Sequence, residues 1–470
     1  MPAIHRGHVY HIGGSPLVLS AADALVDLPD GALAVDDDGI IVWCGEWPDR
    51  PDHLADATVV DHGDAYILPG FVDTHMHFPQ VYCADSYGGG QLLEWLDNCI
   101  FPSESLLADP GFAAHAAVEW CDRMITAGTT TGLIFGSQFP VAQDLLFQTA
   151  HDRGLRIVAG RTIHTVGPDS ARALITSEDA AIELVREEIE RWHPLDDAER
   201  RNALQFVAIV PRFSLAVTPR TLAALGEVYD EYRDRGVYFT SHLNENARPG
   251  TGEVDSVKAA YGVETYLDTY DGRFLPGSKT GGKSLLGRRS VMAHSVHCQD
   301  RELARMAETG TSIAHCPVSQ QFLGSGTMPW KRTVAAGVNV AIGSDYSAGD
   351  EWFVPRLLNA CFKVHISEAG DAGLSLHPAE LLFTGTLAGA RALDLEDRIG
   401  NFDVGKEADF VVLEPHRWDM YQHTLEHAVT PADPVMARDA HLFGVLMLAR
   451  EPALTKTYVR GRRLATAAAA

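Results

Sequence analysis

The residues most able to do chemistry lie in the run Leu68-Pro69-Gly70-Phe71-Val72-Asp73-Thr74-His75-Met76-His77. Alternate side chains of an extended strand point the same way, so His75 and His77 can offer two ring nitrogens to one ion. A His-x-His pair alone is weak evidence, since two surface histidines would look the same. Its position is what counts, because it closes an apolar run where a buried strand should finish. Three other apolar runs end in the same manner, at Thr240-Ser241-His242, Met292-Ala293-His294 and Gly343-Ser344-Asp345. Any one of these reads as a satisfied core residue. Four on separate strands point to a metal centre that activates water for hydrolysis.

The elements that must position these residues alternate between strands and helices. Strand-like runs cover Tyr66–His75, Thr131–Phe135, Arg156–Thr162, Leu204–Val210, Val237–His242, Ser290–His294, Thr311–His315 and Val338–Gly343. Between them lie amphipathic patterns. Ile182, Val185, Ile189 and Trp192 form one helical stripe, and Thr218-Pro219 opens a second helix carrying Leu222, Leu225, Val228 and Tyr232. Eight such units predict an α/β fold, a (β/α)8 TIM barrel with its chemistry at the C-terminal strand ends. A doubly wound open sheet is the alternative, because periodicity does not reveal closure. Both chain ends alternate apolar and polar residues between turns, as in His8–Ile12, Ile40–Cys44, Ala408–Leu413 and Thr457–Arg462. The expected division is therefore 1–66 and 401–470 as the two parts of a small β-sandwich domain, with 67–400 as the metal-dependent barrel. Residues 467–470 read as a frayed tail, and no internal repeat is present.

Composition narrows the function. The chain has 470 residues and a formal net charge of −25, which argues against nucleic-acid or anionic-membrane partners because either needs a basic face. Its seven cysteines form no CxxC and suit a reducing compartment. The N-terminus lacks a signal-peptide h-region and no apolar run is long enough to span a bilayer, so a cytoplasmic protein is expected. Residues 277–284, GSKTGGKS, match the phosphate-loop pattern. That motif requires a buried strand before it and a helix after it. Here Leu286-Gly287-Arg288-Arg289 leads straight into the strand at Ser290, so a surface loop is the better reading.

Several stretches carry a family resemblance: PGFVDTHMHFPQ (69–80), QLLEWL (91–96), PRFS (211–214), SHLNEN (241–246), MAH (292–294), AHCPVS (314–319), GSD (343–345) and GNFDVGKEADFVVLE (400–414). Through them the chain resembles the amidohydrolase superfamily along nearly its whole length, in particular the guanine deaminase branch. The resemblance implies His75, His77, His242 and Asp345 as metal ligands, Glu245 as proton shuttle, and His294 as holder of the attacking water or substrate. It also implies Gln80, Arg212 and Phe213 as walls of the base pocket, with Trp95 beside them as wall or core. Dinuclear relatives bridge their metals with a carboxylated lysine that precedes the third histidine. The first lysine here is Lys258, beyond His242, so one divalent ion per chain is expected, Zn²⁺ or alternatively Fe²⁺. The implied reaction is guanine plus water to xanthine plus ammonia by a cytoplasmic homodimer in purine catabolism. Another aminated heterocycle, such as an oxidised guanine, a pterin or a triazine, is the alternative substrate. A metal-free scaffold would show broken ligands, and none is broken; an ATP-using module would rest on residues 277–284 alone.

Overall fold

A computed structural model describes residues 2–88, 91–250, 252–272 and 283–467. The chain forms two compact units, one of Met1–Asp73, Asp122–Thr131 and Glu351–Ala470, the other of Thr74–Cys121 and Gly132–Asp350.

The first unit is organised by a seven-stranded sheet built from both chain ends. Its strands are β1 (Ala3–Ile12), β2 (Leu25–Val35), β3 (Ile41–Glu46), β4 (Thr58–Pro69), β13 (Phe410–Leu413), β14 (Leu454–Val459) and β15 (Arg462–Arg463), in the order β15-β14-β13-β4-β1-β2-β3. β13 joins the two ends of the sequence by pairing antiparallel with both β4 (Val411 opposite Leu68) and β14 (Val411 opposite Thr457). Val9, Leu33, Ile41, Ile67, Phe402, Phe410 and Val412 fill its core. Two helices, Asp419–His427 and Pro434–Leu448, lie in the stretch that sequence patterning assigned to strands alone. The second buries Leu442, Val445 and Leu446 at helical spacing. Ala467 is tied down, its N–H donating to Asp122 at 2.9 Å, and the rest of the expected tail lies outside the described residues.

An eight-stranded sheet carries the strand-end residues. It runs in sequence order through β5 (Phe71–His77), β6 (Thr129–Gly136), β7 (Arg156–Ile163), β8 (Gln205–Pro211), β9 (Tyr238–Leu243), β10 (Ser290–His294), β11 (Ser312–His315) and β12 (Val340–Ile342). β7 through β12 pair in parallel. Its two end strands meet: Asp345 N–H donates to the His75 carbonyl at 2.9 Å, and the Thr74 hydroxyl donates to the Ile342 carbonyl at 2.7 Å. That seam gives the closed (β/α)8 arrangement and removes the open-sheet alternative. The run expected as one strand over Tyr66–His75 divides at Gly70, where β4 of the first sheet ends and β5 begins. The strands are buried on both faces, which is why they read as continuous apolar runs. Among the helices between them, Glu178–Trp192 buries Ala181, Val185 and Ile189. Pro219–Tyr232 is opened by the Thr218 hydroxyl, which accepts Thr221 N–H at 3.1 Å. Among the described residues no helix is long and apolar enough to cross a membrane.

Candidate active site

The C-terminal strand ends bring together residues far apart in sequence. β5 presents His75 and His77, β9 presents His242, β10 ends on His294, and Asp345 follows β12. All five are buried. His294 and Asp345 have left-handed backbones, with φ of 68° and 48°, that turn the chain sharply as it leaves each strand.

The nitrogens of three histidines converge with one carboxylate. His75 Nε2 and His77 Nε2 are 3.2 Å apart, and His242 Nε2 is 3.3 Å from His77 Nε2. Asp345 Oδ1 lies 3.2 Å from His75 Nε2 and 3.1 Å from His77 Nε2. A proton can bridge one such pair but not four atoms facing a common point. A tetrahedral ion with ligands at about 2.0–2.1 Å spaces those ligands about 3.3–3.4 Å apart, close to the distances seen. The set therefore fits a divalent metal. His242 is oriented for it, because its Nδ1 donates to the Arg212 carbonyl at 2.5 Å and so leaves the Nε2 lone pair facing the other ligands. Phe135 forms an apolar floor, its ring centroid 4.7–4.8 Å from those of His75, His77 and His242. Burial pushes His77 down to about 4, and His242 well below its ordinary value, so both rings are neutral, as ligands must be. Burial opposes charge on Asp345, yet His75 and His77 hold its carboxyl well below the usual range.

Beside this cluster stands Glu245. His294 Nε2 lies 3.4 Å from Glu245 Oε2 and 3.7 Å from Asp345 Oδ2. Among the described residues Glu245 Oε1 and both His294 ring nitrogens lack hydrogen-bond partners, although all are buried. Native interiors seldom leave such atoms unsatisfied, so they mark where a ligand belongs. Burial, then Asp345 and Glu253, push the Glu245 carboxyl well up.

His77, Gln80, Trp95, Arg212, Phe213, His242, Glu245 and Asp345 line one pocket. Two of the polar groups among them, Arg212 and Gln80, are already engaged. Arg212 Nη1 donates to both Glu104 oxygens at 2.7 Å, and Gln80 Nε2 donates to Glu104 Oε1 at 2.7 Å. The Ser347 hydroxyl donates to Gln80 Oε1. Burial disfavours charge on Glu104, but the Arg212 guanidinium holds it below the usual carboxylate range. Trp95 is fixed as wall, its indole N–H donating to the Ser86 carbonyl at 2.9 Å.

Two carboxylates here escaped sequence reasoning. Glu104 sits in a string of short helical turns with no motif. A buried arginine demands an acidic partner, but spacing does not say which acid 108 residues away supplies it. Glu253 begins the helix Glu253–Tyr261 and lines the same pocket. Its Oε2 accepts the N–H groups of Glu245 at 3.0 Å and Asn246 at 3.3 Å, and its Oε1 accepts the Tyr266 hydroxyl at 2.7 Å. It thus fixes the loop that carries Glu245, and burial raises it to about 7. Most of 277–284 lies outside the described residues. Of the two within them, Lys283 pairs with Asp230 at 2.7 Å and the Ser284 hydroxyl donates to Asp271 at 2.7 Å.

Comparison with known proteins gives a consistent picture. Residues 66–463 match the model of the amidohydrolase family. A probable guanine deaminase of Deinococcus radiodurans is 38% identical over 433 residues, covering 90% of this chain and 91% of that protein. The solved structure of Escherichia coli guanine deaminase superposes with a TM-score of 0.85 at 33% identity, covering 99% of both chains. An adenosine deaminase of Xanthomonas campestris with bound zinc superposes with a TM-score of 0.76 at 25% identity, covering 99% of this chain and 93% of that one.

Proposed function

We propose, from the premise that this chain belongs to the amidohydrolase family, that it hydrolyses guanine to xanthine and ammonia. The observation that carries the reading is the convergence of three imidazole nitrogens and one carboxylate oxygen beside the unpartnered Glu245 Oε1. His75, His77, His242 and Asp345 would hold one divalent ion per chain. Zn²⁺ suits a nitrogen-rich tetrahedral set and is the ion bound in the structurally similar adenosine deaminase, and Fe²⁺ accepts the same donors. Such an ion, when bound, brings the pKa of a coordinated water close to neutrality and so supplies a nucleophile at pH 7.

The chain's own groups do the rest. His294 and Asp345 aim the attacking oxygen at the ring carbon that bears the amino group. Glu245 moves protons between that oxygen, the ring nitrogen and the departing amine, which leaves as ammonia. Phe213 stacks on the flat ring. Arg212 and Gln80, pre-set by Glu104, present a cationic fork to the ring carbonyl and an amide to a ring nitrogen. Trp95 closes one wall. Adenine has no carbonyl for Arg212, and a site built to bond a polar group rejects analogues that lack it.

A homodimer in the cytoplasm, serving purine catabolism, completes the proposal. Its support is the resemblance together with the seven cysteines, all free thiols and five of them buried. Ammonia release and absorbance change across guanine, adenine, a pterin and a triazine, alongside metal analysis, test the reading. Turnover of a pterin or triazine without guanine would replace the substrate, and turnover by a metal-free protein would remove the centre. Sedimentation velocity tests the dimer.

A further inference from the structure

One buried histidine is left over from the chemistry above. His164 follows β7 and is only 2% exposed, yet among the described residues neither of its ring nitrogens has a hydrogen-bond partner. Its charged neighbours Glu104 and Arg212 are spent on each other. The ring meets Phe101 edge-on, with centroids 5.7 Å apart, and lines a cavity of about 200 Å³. Leu93, Leu96, Phe101, Pro168, Phe213 and Leu215 form the apolar walls, and Asp97 adds one carboxylate. Leu96 and Phe213 also line the candidate active-site pocket, so the two spaces share a partition. Part of that partition is a π-helical turn, Leu96–Ile100, a distortion that proteins keep mostly at functional sites.

These features define an occupant. Burial, then Arg212, push His164 down to about 3, so the ring is a neutral imidazole with one donor and one acceptor. A neutral ring gives an anion no charge to bind, and Asp97 repels one. Apolar cavities of about 150 Å³ hold benzene, so this one has room for an aromatic ring and a small substituent. We propose that the cavity behind Leu96 and Phe213 is a second small-molecule site, which takes a neutral single-ring aromatic compound and bonds its hydroxyl or ring N–H through His164. The inference stands independently of which substrate the neighbouring pocket turns over.

The test uses the metal-loaded full chain and two probes observed by fluorine NMR, 4-fluorophenol and its apolar counterpart fluorobenzene. The expected result is saturable binding of 4-fluorophenol at one site per chain. Val166 stands at the cavity with 38% of its surface exposed, so Val166→Trp can fill the space without disturbing the core. Val166→Trp should abolish probe binding while ammonia release from guanine stays as in the parent chain. His164→Phe should weaken 4-fluorophenol about 2- to 10-fold, the value of one net hydrogen bond, and leave fluorobenzene unchanged or tighter. Absence of saturable binding, binding that survives Val166→Trp, or an equal loss of both probes in a folded His164→Phe protein would each overturn the proposal.

Discussion

Two of the regions where histidines gather differ sharply, and the contrast between them shows what makes a reactive centre. In the seven-stranded sheet they pair off. His5 Nδ1 meets His62 Nε2 at 3.1 Å, His8 Nε2 meets Asp27 at 2.7 Å, and His441 Nε2 meets the Tyr66 hydroxyl at 2.8 Å. Among the described residues no third histidine, cysteine or carboxylate joins any of these pairs closely enough to share an ion. At the barrel's strand ends three imidazoles and a carboxylate converge, and the atoms beside them stay unsatisfied. Residue type is common to both regions. Convergence with leftover bonding capacity belongs to one.

The largest effects should come from breaking that convergence. Asp345→Ala and His75→Ala should drop metal content well below one ion per chain and bring ammonia release to background, measured by elemental analysis and a coupled assay. The mirror substitution in the sheet, His62→Ala, should change neither. Equal metal loss in both regions would erase the contrast. Next comes Glu245→Gln, which should keep the metal while kcat falls about 10²–10⁴-fold, the usual cost of losing a general acid–base group. Loss of metal instead would make Glu245 a ligand.

Arg212→Ala should lower kcat/KM for guanine by the equivalent of about 1–3 kcal/mol. It should also lower the melting temperature, because Glu104 is left buried without its cation. Arg212→Lys should restore only part of both, since lysine lacks the planar guanidinium, whose Nη1 holds both Glu104 oxygens while its other N–H groups can serve the substrate. Full rescue by lysine would reduce the guanidinium to a point charge.

The smallest effect sharpens the comparison from the sheet side. His5 and His62 are both lowered to about 4, by burial first, with the Lys456 ammonium adding to it. Unfolded, each takes up a proton near pH 6.5; folded, each stays neutral down to about 4. Between those values the unfolded chain binds more protons, so stability falls as pH falls. Melting curves from pH 7 to pH 4.5 should therefore be shallower in His62→Ala, with metal content at pH 7 unchanged. An unaltered acid slope would show that these rings do not govern it.

Much of this was legible in the sequence because barrel strands buried on both faces are continuous apolar runs, and their ends are where polarity returns. His75, His77, His242, His294 and Asp345 each sit at such an edge. The partners that shape the pocket gave no such signal. Glu104 is matched to Arg212 by tertiary packing across 108 residues, and Glu253 looks like any acidic residue in a first helical turn. The helix Pro434–Leu448 was hidden for another reason: its apolar positions are spread around the helix, with no clean stripe, so flanking strand patterns dominated the reading.

The seam that closes the barrel also sets a schedule. Thr74 and Ile342, joined there, are 268 residues apart in the chain. At translation speeds of about 5–20 residues per second, roughly 15–50 s pass between synthesis of the two sides. Throughout that interval the histidines already made, first His75 and His77 and then also His242, lack the carboxylate that completes their set. The nascent chain therefore has no finished site with which to trap an ion early. Metal acquisition becomes a late event that reports the joining of the first strand to the last.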